Sequence, residues 1–247
     1  MELTPALLAA MVAATTGGFL RGFAGFGGAL VFIPVVSAAF GPQYAAPVFL
    51  LMDYGLTLPM VIRSIRICRW STVLPAALAG MVTAPVGAWL LANGDPVTLR
   101  WIICGIVVLL LALIISGWRY HGEPKTVASV GAGGLAGIFG GIGQVSGPVA
   151  IAFWMSGQLP VAVIRANIFC FFGVVSISSF AAYYWNGLFT LDKLKLTLIL
   201  MPLYATTLFL GGRVFGRTEG ANYRPVVYGL IALAAVTSAP ALDGILR

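Results

Sequence analysis

The sequence predicts an all-α polytopic membrane protein built from two inverted repeats, each a glycine-rich broken or re-entrant helical hairpin followed by three transmembrane helices. Three observations predict it: the composition, an internal repeat and the distribution of charge among the loops. Of the 247 residues, 60% are hydrophobic and 9% are charged, and the mean hydropathy is +1.01. A soluble protein carries about 25% charged residues, whereas apolar runs separated by short polar breaks are typical of helices that cross a bilayer.

The internal repeat is visible at two places in the chain. GGFLRGFAGFGG at 17–28 aligns with GGLAGIFGGIGQ at 133–144, and LRWIICGI at 99–106 aligns with YRPVVYGL at 223–230. Because the two matches occur in the same order, they indicate a duplication. The predicted division is a first repeat at 1–118, a cytoplasmic linker at 119–125 and a second repeat at 126–247.

Each half consists of one long apolar region followed by three spans of ordinary length. The first half is predicted to contain 5–40, then 44–62, 71–92 and 99–117, and the second half 126–157, then 160–185, 193–215 and 224–243. A span of about 20 residues matches a hydrocarbon core of about 30 Å. The two long regions exceed one crossing and fall short of two, and the loop charges resolve this ambiguity.

The loop charges predict the orientation in the inner (plasma) membrane. RSIRICR at 63–69 and WRYHGEPK at 118–125 are basic and expected in the cytoplasm, whereas ANGDPVT at 92–98 holds an acid and no base. Counting back two spans from the basic loop at 211–224 also places 156–160 inside. The hairpin at 126–157 then enters from the cytoplasm and the one at 5–40 from the outer side, with both chain termini outside. Halves of opposite orientation are typical of secondary transporters, whose sites lie near the midplane.

The hairpin tips, GFAGFGG at 22–28 and GGIGQVSGP at 140–148, are the candidate site. Glycines allow sharp turns and leave backbone amides exposed, and amides at a helix start attract anions. Tight helix packing through small residues is the alternative explanation of the glycines, and the sequence leaves it open. The predicted substrate-binding residues are Arg21, Gly25, Gly27, Gly28, Gly141, Gly143, Gln144, Ser146 and Asn167.

Two charged residues fall inside apolar segments. A buried arginine in a membrane costs about 3 kcal/mol or more and indicates function by default, so Arg21 is expected to be the charge partner of an anion. It can equally snorkel to an interface or pair with Asp53. Asp53, halfway along its span, is a candidate proton carrier, a counter-ion to Arg21 or a structural hydrogen-bond acceptor, and Asn167 is its counterpart in the second half.

Composition and spacing argue against an enzyme, a metal site and a cofactor. The other acids fall in loops or at segment ends, the single histidine, His121, lies in a polar loop, and neither paired carboxylates nor metal-ligand spacing occur inside the membrane. The three cysteines lack CxxC spacing and are expected to pack. The net charge of +7 is explained by topology rather than by nucleic acid, so the expected partners are the lipid bilayer and a small anion.

With these motifs in place, the sequence resembles the TauE/SafE (sulfite exporter, TSUP) family. The resemblance rests on GFLRGFAGFGGALVFIP, on its second copy GAGGLAGIFGGIGQVSGP, and on two matched halves with a polar middle. It implies transport of a small sulfur-containing anion, such as sulfite, sulfoacetate or another organosulfonate, across a bacterial inner membrane. The expected mechanism is alternating access, with proton coupling through Asp53 as a hypothesis. The alternatives are an anion channel or uniporter and a non-transporting sensor or assembly subunit.

Overall fold

The computed structural model describes residues 4–117, 125–154, 159–215 and 224–242, which form ten α-helices and a short 3-10 helix, Pro240–Leu242, with no strand among them. The helices of the first half are α1 (Pro5–Ala24), α2 (Gly28–Phe40), α3 (Pro42–Ser64), α4 (Trp70–Asn93) and α5 (Pro96–Ile115). Those of the second half are α6 (Thr126–Gly143), α7 (Gly147–Trp154), α8 (Val161–Trp185), α9 (Leu191–Phe215) and α10 (Arg224–Thr237). Seven helices of this described part are long and apolar enough to cross a membrane. The predicted all-α membrane fold is confirmed, and the inverted repeat stays a prediction.

Some predicted features involve residues that the structure does not describe. The linker up to residue 124 with His121, the loop residues 156–158 and both chain termini lie outside the described residues. The helices form two compact units. Unit 1 comprises Met1–Met52, Gly94–Leu111 and Phe189–Arg247, and unit 2 comprises Asp53–Asn93 and Ala112–Leu188.

In unit 1, α1 runs parallel to α9 and α2 turns back along α1. Gly18 lies against Tyr204, and Gly22, one turn further on, lies against Leu208. Glycine permits this close approach because a side chain at either position would overlap the backbone of α9. The end of α2 returns to the start of α1, where Thr4 and Ala39 line one groove.

Three of the segments that connect or end helices in unit 1 lie at the end where α1 starts. Gln43 donates from Nε2 to the carbonyl of Gly94 over 3.2 Å, which joins the start of α3 to the start of α5. Arg100 donates from Nη2 to the carbonyl of Ser238 over 3.0 Å, which adds the end of α10. The segments at 40–44, 94–98 and 237–238 therefore share one end of unit 1, in agreement with the common side that the loop charges predict for the first two.

In unit 2, α4, α6 and α8 run parallel and α7 returns towards their starts. Gly133, Gly137 and Gly141 of α6 lie in order against Ala76, Gly80 and Ala84 of α4. Arg69 meets Asn167 at the starts of α4 and α8, and Ser178 donates to the carbonyl of Met81 further along both helices. Trp154, at the end of α7, donates from Nε1 to the hydroxyl of Thr72 over 3.2 Å. The segment at 126–154 therefore begins and ends at the same end of the unit, as a hairpin must.

The arms of both hairpins are unequal. The first arms, α1 and α6, have 20 and 18 residues, or about 30 and 27 Å at 1.5 Å per residue. The return arms, α2 and α7, have 13 and 8. The first tip therefore lies near Leu208 in the C-terminal half of α9, and the second near Ala84 in the C-terminal half of α4. The sequence predicts tips level with the middle of the spans, but the tips lie beyond the middle of these neighbouring helices. The reason is that a first arm alone is about as long as the hydrocarbon core is thick.

Candidate functional site

The first tip is the turn between α1 and α2, and it depends on two glycines. Gly25 has φ 77° and Gly27 has φ 93°, in the left-handed region that other residues adopt only with strain. The amide of Gly25 donates to the carbonyl of Arg21 over 3.0 Å and ends α1. Gly27 precedes the first residue of α2 and offers no side chain to cap it. The chain thus reverses within three residues and leaves the backbone amides at the start of α2 without acceptors inside the helix.

The buried side chain of Arg21 stabilises this turn. Its side chain is 7% exposed, and its Nη1 donates to the carbonyl of Gly25 over 2.7 Å. Because Gly25 is the residue that ends α1, this bond fixes the guanidinium beside the turn. A buried positive charge therefore lies at the point where the backbone reverses.

Gly28 begins α2 in a closely packed place. A Cβ at this position would lie 3.1 Å from Cβ of Arg21 and 3.2 Å from the hydroxyl of Tyr204, and it would also press on the carbonyl of Gly17. Tyr204 of α9 is fully buried and packs edge-on against Phe49 at a ring distance of 5.8 Å. The first tip consequently has a phenol hydroxyl beside it as well as a guanidinium.

The second tip is closed by a hydrogen-bond network within unit 2. Gln144 has φ 57°, and it is the one residue other than glycine with a positive φ in the described ranges. Its Nε2 donates to the carbonyl of Gly140 over 2.8 Å and to the hydroxyl of Tyr183 over 3.2 Å. Tyr183 in turn donates to the carbonyl of Gly141 over 2.8 Å. Both hydrogens of the Gln144 amide nitrogen therefore have protein acceptors, and the side chain shapes the turn.

The other predicted residues of the second tip are buried around this network. Gly141 lies against the backbone of α4, where a Cβ would overlap the carbonyl of Ala84. Gly143 is the last residue of α6 and is buried. Ser146 is 6% exposed, and its carbonyl accepts from Ala150 over 3.3 Å as α7 begins. Gly141 thus has a packing role in addition to the binding role that the sequence predicts.

Asn167 is not brought together with the second tip. It lies in the second turn of α8, whereas Tyr183 lies in the last turn, about 24 Å further along the axis at 1.5 Å per residue. Its Oδ1 accepts from the backbone nitrogen of Arg69 over 2.8 Å, and its buried Nδ2 has no hydrogen-bond partner. One small anion cannot touch both Gln144 and Asn167.

Asp53 and Arg21 belong to different units. Asp53 is partly buried in α3 and begins unit 2, whereas Arg21 is part of unit 1. The carbonyl of Asp53 accepts from the hydroxyl of Thr57 over 2.7 Å. Their pairing, and the proton-carrying role of Asp53, stay predictions.

Tyr183 and Tyr204 are the tip residues that sequence reasoning misses. Each hydroxyl lies at a hairpin tip, yet each residue stands in an apolar span where an aromatic side chain is expected to pack. Only the depth of these two positions on α8 and α9, opposite the tips, distinguishes them.

Within the described ranges no group of three histidine, cysteine or acidic residues is placed to hold a metal ion.

The sequence matches the model of a known protein family. The family model described as sulfite exporter TauE/SafE matches residues 9–238, nearly the whole chain. No curated protein and no solved structure matches the sequence.

Proposed function

The chain belongs to the TauE/SafE sulfite exporter family, and on this premise we propose that it is a secondary transporter of a small sulfur-containing anion. Sulfite, sulfoacetate and other organosulfonates form the proposed substrate class. The proposed route crosses a bacterial inner membrane by alternating access. The family and the apolar helices support a multi-pass membrane transporter rather than an enzyme.

The observation that carries the proposal is the buried guanidinium of Arg21 at the first glycine turn. Its bond to the carbonyl of Gly25 keeps the charge beside the left-handed turn and the start of α2. Sulfite and sulfonate groups present several oxygens, which accept charge-assisted hydrogen bonds from arginine. Backbone amides at a helix start add neutral donors and the positive end of the helix dipole. This combination favours an oxyanion over a cation or an uncharged solute.

The second turn supplies shape more than charge. Its donors from Gln144 and Tyr183 are engaged with protein carbonyl and hydroxyl groups, so the proposed donor at this turn is Ser146, with its hydroxyl and the backbone amide before α7. Gly143, the last residue of α6, is proposed to let the substrate approach the backbone because it has no side chain. Asn167, at the other end of α8, is assigned to a separate step of the route. Its buried Nδ2 supports a role as a donor to a passing anion because a donor left without an acceptor in a protein interior is costly.

The test measures binding and flux with purified protein. Sulfite, sulfate, thiosulfate, sulfoacetate, taurine and carboxylate analogues are screened by thermal shift, and uptake of the stabilising anion is followed in proteoliposomes. Arg21→Gln should weaken binding about 10- to 100-fold, because a hydrogen bond to a charged group contributes about 1.5–3 kcal/mol. Arg213→Gln, which removes an exposed arginine near the end of α9 in the same unit, is the matched control and should bind normally.

Each outcome has a defined meaning. Stabilisation by carboxylates and by no sulfur anion would refute the substrate class. Equal binding by Arg21→Gln and Arg213→Gln would remove Arg21 from the site. Conductance without saturation would favour the channel, and neither stabilisation nor flux would favour the sensor or assembly subunit.

Proton coupling is tested separately. Asp53→Asn keeps the shape of the side chain but cannot ionise. If Asp53 carries the proton, the variant should lose transport driven by a pH gradient and keep exchange of substrate across the membrane. Transport with an unchanged pH dependence would exclude this role.

A further inference from the structure

Two of the three cysteines meet in unit 2. Cys68 lies between α3 and α4, Cys170 lies in α8, and their thiols lie close enough to interact with each other. Cys68 also directs its S–H towards the carbonyl of Ile65, 3.7 Å away. The sequence predicts packing for both residues, and their distance along the chain gives no sign of the contact.

A second contact holds the same loop against the same helix. The backbone nitrogen of Arg69, the residue after Cys68, donates to Oδ1 of Asn167 over 2.8 Å. Asn167 and Cys170 are three residues apart and share a face of α8. Two consecutive loop residues thus contact two positions on one helix face. The hydrogen bond between Arg69 and Asn167 keeps the loop beside α8 independently of the thiols.

We propose that Cys68 and Cys170 form an oxidisable dithiol that closes to a disulfide and fastens the α3–α4 loop to α8. Cys68 is partly exposed and Cys170 is 1% exposed, so an oxidant reaches Cys68 first and Cys170 resolves the product. An accessible attacking thiol beside a resolving thiol is one feature of redox-sensing pairs, and because burial raises the pKa of the Cys68 thiol this pair should oxidise slowly at neutral pH.

The step balances with a small-molecule disulfide, such as oxidised glutathione, as the oxidant. The thiolate of Cys68 attacks one glutathione sulfur, a mixed disulfide forms, and one glutathione thiolate leaves. The thiolate of Cys170 then attacks the sulfur of Cys68 and displaces the second glutathione. The two protein thiols lose two protons and two electrons, and glutathione gains both.

The predicted cytoplasmic position of the α3–α4 loop indicates when the disulfide would form. Basic residues place the α3–α4 loop on the cytoplasmic side, where glutathione keeps structural disulfides rare and those that form are transient. The disulfide is therefore a response to oxidising conditions, and it is independent of which anion the protein carries.

The test uses the full chain in detergent. Burial raises the pKa of the Cys68 thiol, so the attacking thiolate is scarce at neutral pH and the reaction is run at pH 8. After oxidised glutathione, the thiols labelled by a maleimide in denaturant should fall from three, the number in the sequence, to one. Non-reducing peptide mapping should find Cys68 joined to Cys170, and dithiothreitol should restore all three thiols.

Single variants separate this pair from chance oxidation. Cys104→Ser, which alters the third, buried cysteine, should still form the crosslink. Cys170→Ser should stop at the mixed disulfide of Cys68 and glutathione, and Cys68→Ser should leave Cys170 unreacted. Three labelled thiols in the oxidised wild type would overturn the proposal, as would a wild type that stops at the mixed disulfide. A crosslink that forms equally well in protein unfolded in SDS would also overturn it, and the mapping of wild-type protein needs no variant to fold.

Discussion

Gly25 and Gly137 lack a side chain for two different physical reasons. Gly25 has φ 77° and open space where a Cβ would lie, so it is needed for its backbone conformation. Gly137 is helical, and a Cβ there would overlap Thr83 and the carbonyl of Gly80 on α4. Turn-making and packing are alternative explanations of these motifs from the sequence alone, and at single residues both occur.

Gly137→Ala should destabilise the protein because the added methyl presses on the backbone of α4. Overpacking of this kind costs about 1–3 kcal/mol. Gly131→Ala is the control, since it adds the same methyl to the same helix where no atom lies within 4 Å. Thermal unfolding in detergent should show a lower melting temperature for Gly137→Ala and no loss for Gly131→Ala. Equal melting temperatures would mean that α4 and α6 are not closely packed.

Tyr183→Phe should weaken the second turn without disturbing the packing of the ring. The variant loses the bond to the carbonyl of Gly141 and the one from Gln144, and each such bond contributes about 1 kcal/mol. Its neighbour Tyr184 is 77% exposed, so Tyr184→Phe is the matched control. The melting temperature should fall for the first variant only. A fall of the same size in both would assign the effect to α8 as a whole.

Most helices follow the predicted spans to within three residues. The exception is α10, which ends at Thr237 instead of 243 and, with 14 described residues, is shorter than the predicted transmembrane span. Hydropathy predicts a span at 99–117, whereas α5 begins at Pro96. The carboxylate of Asp95 accepts from the amide of Thr98 over 2.8 Å and from its hydroxyl over 3.0 Å, which caps the helix three residues earlier than hydropathy indicates. Hydropathy locates the apolar centre of a span, whereas its ends depend on polar capping that hydropathy does not measure.

The cap on α5 should make stability depend on pH. The hydrogen bonds from Thr98 hold the pKa of Asp95 below its usual range, so its stabilisation is present above the unfolded value, near 4, and is lost as pH falls through the lower folded value. Asp95→Ala should lower the melting temperature at pH 6, and the difference from wild type should shrink towards pH 3.

Asp192→Ala is the control for this cap. Asp192 lies in the first turn of α9 and forms an exposed ion pair with Lys195 at 3.5 Å, a type of contact that contributes little. Its effect on the melting temperature should be smaller than that of Asp95→Ala. A difference between wild type and Asp95→Ala that stays constant from pH 6 to pH 3 would contradict the role of the ionised carboxylate.

Each of the two units combines helices from both halves of the sequence. In unit 1 the hairpin of the first half runs along α9, and in unit 2 the hairpin of the second half runs along α4. The predicted repeat makes α1 equivalent to α6 and α9 equivalent to α4. The same pair of equivalent helices therefore packs through glycines in each unit, which supports the duplication that two short alignments predict.

The candidate site was less predictable than the fold. Periodicity and loop charge report on each segment alone, so they indicate the hairpins and the residues at their tips. The depth of a tip depends on which helix it runs beside, and the separation of Asn167 from Gln144 depends on where each meets α8. Such distances arise from packing between segments far apart in the chain, and for that reason Tyr183, Tyr204 and the Cys68–Cys170 contact were missed.

Opposite orientation of the halves is testable at the starts of α1 and α6. On a background without native cysteines, Thr4→Cys and Lys125→Cys place one exposed thiol at each start. The inverted repeat predicts that a membrane-impermeant maleimide added to spheroplasts labels Thr4→Cys, whereas Lys125→Cys reacts only after lysis. Asn93→Cys and Arg66→Cys, exposed at the two ends of α4, serve as outer and inner references. Labelling of Thr4→Cys and Lys125→Cys from the same side would make the first helices of the halves parallel, and the halves would then be related by a direct repeat.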